Sequence, residues 1–294
     1  MGLFFSSDRF TRPGPGVRPD APRKKGVARL AEIMGRDMWN FFRAGFLAFL
    51  GCLPFIIGMF FAVETHALLF MLLAGIIGGL IAGPELSAMA DTVLRSLRDE
   101  PGYWWETYRR VWKRNARESL VPGMLTGLVL SMQIFTLFHM SVISAGIVTW
   151  VLLFLSFVVT LGLESYIWPQ IALLDLPLYG ILKNSLLLFL GYLPRSLGAI
   201  AIKAVYWGAI LLFFPLTAII LPFTNFWLPM LPALLCIYQP LNKCFTIEST
   251  INKMREDELN AALAKDNESL PEDPTEKAEE STEASSDDSS SDVQ

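Results

Sequence analysis

Three long stretches of this chain contain no lysine or arginine. They lie between Arg43 and Arg95, between Arg117 and Lys183, and between Lys203 and Lys243. A water-soluble helical protein must place charge on its outward faces, and such gaps leave it none to place. Each gap is long enough for one or more membrane-spanning helices, which need about 20 apolar residues apiece. Composition agrees: 53% of the residues are hydrophobic and only 18% are charged, against about 25% charged in ordinary soluble domains. The expected fold class is therefore all-α, a polytopic membrane helix bundle.

Spans are predicted at about residues 44–63, 67–90, 120–138, 145–168, 197–221 and 226–245, giving about six transmembrane helices plus amphipathic interfacial helices. A shorter apolar piece, 178–190, is too short to cross and reads as re-entrant or in-plane. Three regions frame the chain. Residues 1–43 form a basic arm and interfacial helix, with Arg29, Arg36 and Arg43 recurring every seven residues. Residues 44–250 are the transmembrane domain. Residues 251–294 read as a disordered acidic tail, because 255–294 hold 14 acidic and 3 basic residues. Lysine and arginine cluster before the first span, in 95–117 and around 183–203, and the intervening loops lack them. By the positive-inside rule both termini face the cytoplasm.

The segment 95–117, RSLRDEPGYWWETYRRVWKRN and onward to Arg117, concentrates charge and aromatics. On a helical wheel Trp104, Trp105, Tyr108, Val111 and Trp112 share one arc, while Arg109, Arg110, Lys113, Arg114 and Arg117 share the other. Tethered between spans, this pattern predicts an in-plane membrane-surface helix that doubles as a docking surface, not a nucleic-acid site. Candidate docking residues are Trp104, Arg109, Arg110, Trp112 and Arg114. Asn115 breaks the pattern by falling within the aromatic arc, and Asn184 in LKNSLLLF is its counterpart in the shorter apolar piece. The pair hints at a weak parallel repeat, 67–138 against 145–221, with the asparagines as interhelical glue.

Ionisable groups within membrane spans are candidate functional sites. Glu85 and Glu164 are the two carboxylates here. With Asn115 and Asn184 they make a possible intramembrane polar site, unless the carboxylates reach the interface or pair with Lys203. His66 and His139, the chain's two histidines, read as interfacial polar residues, and no metal site is expected. Cys52, Cys236 and Cys244 show no metal-site or disulfide spacing. No G-x-S-x-G, H-E-x-x-H or P-loop pattern occurs, so neither catalysis nor a cofactor is expected.

The run RPGPGVRPDAPRKKG, the residues Gly83, Pro84, Ala88 and Met89, the run LRSLRDEPGYWWETYRRVWKRN, and WPQIALLDLPLYGILKNSLLLFLGYLPRS together resemble the YesL-type bacterial membrane protein family, over roughly residues 9–245. Glu85 departs from the small or neutral residue usual in that family after Gly-Pro. The resemblance implies a bacterial plasma-membrane protein of unknown activity. It also implies an accessory role in carbohydrate uptake, with subunits of ATP-binding-cassette sugar transporters or their sensors as partners beside the lipid bilayer. The expected function is thus a non-enzymatic accessory or scaffold protein. The alternative is a small-solute transporter or channel.

Overall fold

The computed structural model describes residues 23–100, 103–140 and 146–269. The chain is helical throughout these residues, without strands. The helices are α1 (Gly26–Thr65), α2 (Leu68–Leu97), α3 (Trp104–Phe138), α4 (Ile147–Leu173), α5 (Leu178–Gly191), α6 (Leu193–Leu212), α7 (Leu216–Thr224), α8 (Trp227–Phe245) and α9 (Ile247–Ser269). Five of them, α1, α2, α3, α4 and α6, are long and apolar enough to cross a membrane. Their outer faces carry exposed apolar side chains such as Phe60 (62%), Phe154 (71%) and Leu152 (60%). So large an apolar surface requires lipid as its solvent.

Two expectations need correction, and a third, that 178–190 is too short to cross, holds. The expected span 197–221 ends at Leu212, where Pro215 and Pro222 divide the remainder into the nine-residue α7. The expected sixth span, 226–245, is helical as α8, but it is not among the five, because Gln239, Asn242 and Lys243 dilute its apolar run. At 19 residues α8 is about 28 Å long. The piece 178–190 is a separate 14-residue helix, α5, too short to span.

The interfacial helices at 27–43 and 104–117 are not separate elements. α1 runs unbroken for 40 residues and α3 for 35. At 1.5 Å per residue α3 is about 52 Å long, against a hydrocarbon core of roughly 30 Å. Pro54 in α1 and Pro122 in α3 leave both helices continuous. Residues 104–117 are therefore the first turns of α3 itself, beside the first part of α1 and the end of α2.

The centre of the fold is a close α2–α3 contact. Gly75, Gly79 and Gly83 recur every four residues on α2, facing Gly123 and Gly127 on α3. A Cβ on Gly79 would lie 2.3 Å from the Gly123 carbonyl oxygen, and one on Gly127 would lie 2.5 Å from that of Gly75. Small residues spaced in this way let two backbones touch. A π-helical turn, Ala74–Gly78, widens α2 at this crossing, where Gly78 also meets the backbone of Phe55 on α1. α7 and α8 pack on the first half of α1 through Phe42–Phe223 and Phe41–Trp227 ring stacks.

Residues Asn242–Gln294 form a second unit. Its α9 runs to Ser269, so 251–269 are helical where a disordered tail was expected. Alanine, leucine, glutamate and lysine in NAALAKDNES favour helix strongly enough to oppose the charge repulsion. The acidic residues beyond 269 and the arm before 23 lie outside the described residues.

Candidate functional site

The arginine-rich end of the bundle is built around the turn after α2. Asp99 sits there in a left-handed conformation, φ 60°. Its carboxylate accepts from Arg29 Nη2 at 2.6 Å and from Arg36 Nη1, and it forms an ion pair with Arg23 Nε at 3.2 Å. The same three arginines also reach the last carbonyls of α2. Arg36 donates to Ser96 O at 2.7 Å, Arg29 to Leu97 O at 3.1 Å, and Arg23 to Arg98 O at 3.3 Å. Cations on the orphan carbonyls of a helix C-terminus are favourable. Burial alone would raise the Asp99 pKa, but the hydrogen bonds from Arg36 and Arg29 outweigh it and hold the carboxyl below its ordinary value. Beneath this clamp, Arg98 pairs with Glu100 at 2.8 Å and Arg95 with Asp91 at 2.7 Å.

The heptad arginines therefore do not form a lipid-facing stripe. Arg29 is buried at 6% exposure, and Arg36 is tied to the neighbouring loop. Their spacing of seven puts them on one face of α1, and that face is turned to α2.

Part of the aromatic arc of α3 turns toward the bundle, while Trp105 (58% exposed) stays on the outer side. Tyr108 and Val111 are buried, and so is Asn115 on the same face. Tyr108 Oη donates to Glu85 Oε2 at 2.6 Å, and Trp112 Nε1 donates to Oε1 at 2.9 Å. Trp104 lies against Tyr108 and under the Arg43 guanidinium, 5.7 Å from its ring centre. Arg114 donates to Ala172 O at 2.8 Å and to Asn115 Oδ1 at 3.0 Å, so it closes the C-terminal end of α4.

Of the expected docking residues, Trp104, Trp112 and Arg114 thus serve the fold. Arg109 and Arg110 remain outward, and Arg110 makes an exposed pair with Glu106 at 3.2 Å. Tyr103 (86% exposed), Trp105 (58% exposed) and Lys113 share that outer surface, and sequence reasoning did not single them out as a set.

Glu85 and Glu164 have separate partners. Glu85 is held by Tyr108 and Trp112. Glu164 accepts from Trp168 Nε1 at 3.3 Å and lines, with Lys203, a cavity of about 10 Å³. That volume is roughly one water molecule. Lys203 is buried near the middle of α6, more central than the sequence indicated. Asn115 is fully buried with its Nδ2 unpartnered among the described residues, whereas Asn184 is only half-buried. α3 is one helix whereas α5 and α6 are two, so the two asparagines are not equivalent.

Three further interhelical polar contacts fall on residues that sequence reasoning passed over. Gln170 donates to Ser185 Oγ at 2.8 Å, Tyr166 meets Ser196 Oγ at 2.8 Å, and Gln133 donates to Thr160 Oγ1 at 2.8 Å. At the opposite end of the bundle His66 and His139 are in contact. Among the described residues no cluster of three or more His, Cys, Asp or Glu side chains is placed to hold a metal ion.

No family model, no curated protein and no solved structure matches this chain.

Proposed function

We propose that this protein is a non-enzymatic membrane accessory protein that holds a partner at its arginine-rich end. The observation that carries this reading is the outer face of the α3 extension. Tyr103, Trp105, Arg109, Arg110 and Lys113 project there, and the helix bearing them is fixed by the Asp99 clamp, the Glu85 bonds and the Arg114 cap. A preorganised surface of exposed aromatics and arginine is what a protein partner uses as anchor points, and its positive charge selects an acidic one. The resemblance to the YesL-type family belongs to this proposal. So do the bacterial plasma membrane, a cytoplasmic placement of the arginine-rich end, and permease or sensor subunits of sugar uptake as partners. Placing both termini in the cytoplasm further requires α8 to cross as a sixth span.

A small-solute transporter or channel is the weaker reading. Both Glu85 oxygens are occupied by ring donors, and the Glu164–Lys203 cavity has room for one water. Gentle extraction of native membranes from wild type and from the Arg109→Glu, Arg110→Glu double variant tests the proposal. A stoichiometric partner held by wild type and lost in the variant, with both bundles equally stable, supports it. A partner recovered equally from both, or none from either, refutes it.

A further inference from the structure

A cavity of about 330 Å³ opens between α3 and the start of α5. Arg117, Glu118 and Val121 of α3 line one side, and Asp175, Pro177 and Ile181 line the other. The volume lies within the range of small-molecule sites, roughly 300–1,000 Å³. The fold holds its walls. Arg114, one turn before Glu118, donates to Ala172 O at 2.8 Å and so ties α3 to the end of α4. Ile181 is buried, and its N–H donates to Pro177 O at 3.0 Å.

The depth of the cavity follows from the charge pattern. Glu118 is the last charged residue of α3, and Asp175 is the first after α4 ends at Leu173. The cavity therefore opens where the apolar lengths of both helices give way to polar chain, which is the level of lipid headgroups. From there Val121, Leu125 and Val129 continue along α3, exposed at four-residue spacing. They make an apolar strip for an acyl chain.

Arg117, Glu118 and Asp175 are exposed, and none of them forms an ion pair among the described residues. One guanidinium and two carboxylates that share a cavity without pairing complement a ligand carrying both signs. Arginine holds phosphate through forked hydrogen bonds, and a carboxylate accepts from an ammonium N–H. Two carboxylates to one arginine disfavour a headgroup that is only anionic.

We propose that this cavity binds a phospholipid whose headgroup ends in a primary ammonium, the phosphatidylethanolamine class. The phosphate sits on Arg117, the ammonium on Glu118 and Asp175, and an acyl chain along Val121, Leu125 and Val129. The site is distinct from the partner surface, because Arg109, Arg110 and Lys113 do not line it.

Native mass spectrometry of the full chain released from detergent micelles tests the site. Phosphatidylethanolamine, phosphatidylcholine and phosphatidylglycerol with matched acyl chains are supplied at equal concentration. One phosphatidylethanolamine per chain is expected, preferred about tenfold over the other two. The quaternary ammonium of phosphatidylcholine has no N–H to donate, and phosphatidylglycerol has no ammonium. The Glu118→Gln, Asp175→Asn double variant is expected to erase the preference over phosphatidylcholine, and Arg117→Gln to weaken both lipids. All three positions are exposed, so unfolding midpoints should match wild type. Arg110→Gln, outside the cavity, should keep the wild-type preference. Equal retention of the three lipids by wild type overturns the proposal. So does a preference that the double variant keeps in full. Free phosphoethanolamine that displaces the lipid at equal concentration overturns the lipid assignment, since a soluble phosphate ester would then suffice.

Discussion

Gly79→Ala is the sharpest probe of the bundle's centre. The added methyl group would stand 2.3 Å from Gly123 O, 2.9 Å from Gly123 C and 3.1 Å from Met124 Cα. All three are backbone atoms, so no side chain can rotate away. Ordinary contact begins near 3.4 Å, so α2 and α3 must separate by about 1 Å. That separation loosens the whole glycine stripe from Gly75 to Gly83. Overpacking of this kind costs about 1–3 kcal/mol, and the helix propensity gained by replacing glycine returns less than about 1 kcal/mol. The net expectation is a loss of roughly 1–2 kcal/mol. Gly198→Ala on α6 is the control, because its methyl group meets nothing within 4 Å. Unfolding midpoints of the two variants in one detergent measure the difference. Gly79→Ala should fall below wild type and Gly198→Ala should not. Equal midpoints would refute the close α2–α3 contact.

Other expectations concern the polar contacts. Asp99→Asn should destabilise the arginine-rich end at neutral pH. The folded-state pKa of Asp99 is depressed, so its contribution is present above the ordinary carboxylate value of about 3.9 and is lost as pH falls through the lower folded value. Unfolding curves of wild type and Asp99→Asn should therefore converge in acid, and a gap that persists there would contradict the clamp. Tyr108→Phe removes one of two donors to Glu85 and should cost about 1–3 kcal/mol, while Tyr108→Phe combined with Glu85→Gln should cost less than the two changes summed. Gln170→Leu leaves Ser185 without its interhelical donor and should lower the unfolding midpoint more than Asn184→Leu does at the neighbouring, half-buried position.

The membrane class and most of the helices were legible because charge-free gaps are a one-dimensional signal. Which way each face turns was not. The aromatic arc of α3 has the amphipathic pattern of a surface helix, and bundle and lipid are equally apolar backgrounds for it. Asn115 was the informative exception: an amide within that arc fits a buried helix contact better than a lipid face. The heptad of Arg29 and Arg36 was visible, but its acceptors, Asp99 and the last carbonyls of α2, lie some 60–70 residues away in sequence. The stripe of Gly75, Gly79 and Gly83 was readable as a packing motif once matched with Gly123 and Gly127. Proline in the last third of the transmembrane domain moved the end of the fifth span: a hydropathy run does not register that Pro215 and Pro222 cut it at Leu212, whereas the polar Gln239, Asn242 and Lys243 take α8 out of the five long apolar helices.

The central claim is that the outer face of the α3 extension contacts a protein partner. A photoreactive side chain in place of Arg109, and in separate strains in place of Trp105 or of lipid-facing Phe154, tests it in living cells. The account predicts one dominant protein adduct shared by positions 105 and 109 and absent at 154. Adducts of the same identity and yield at all three positions would contradict it.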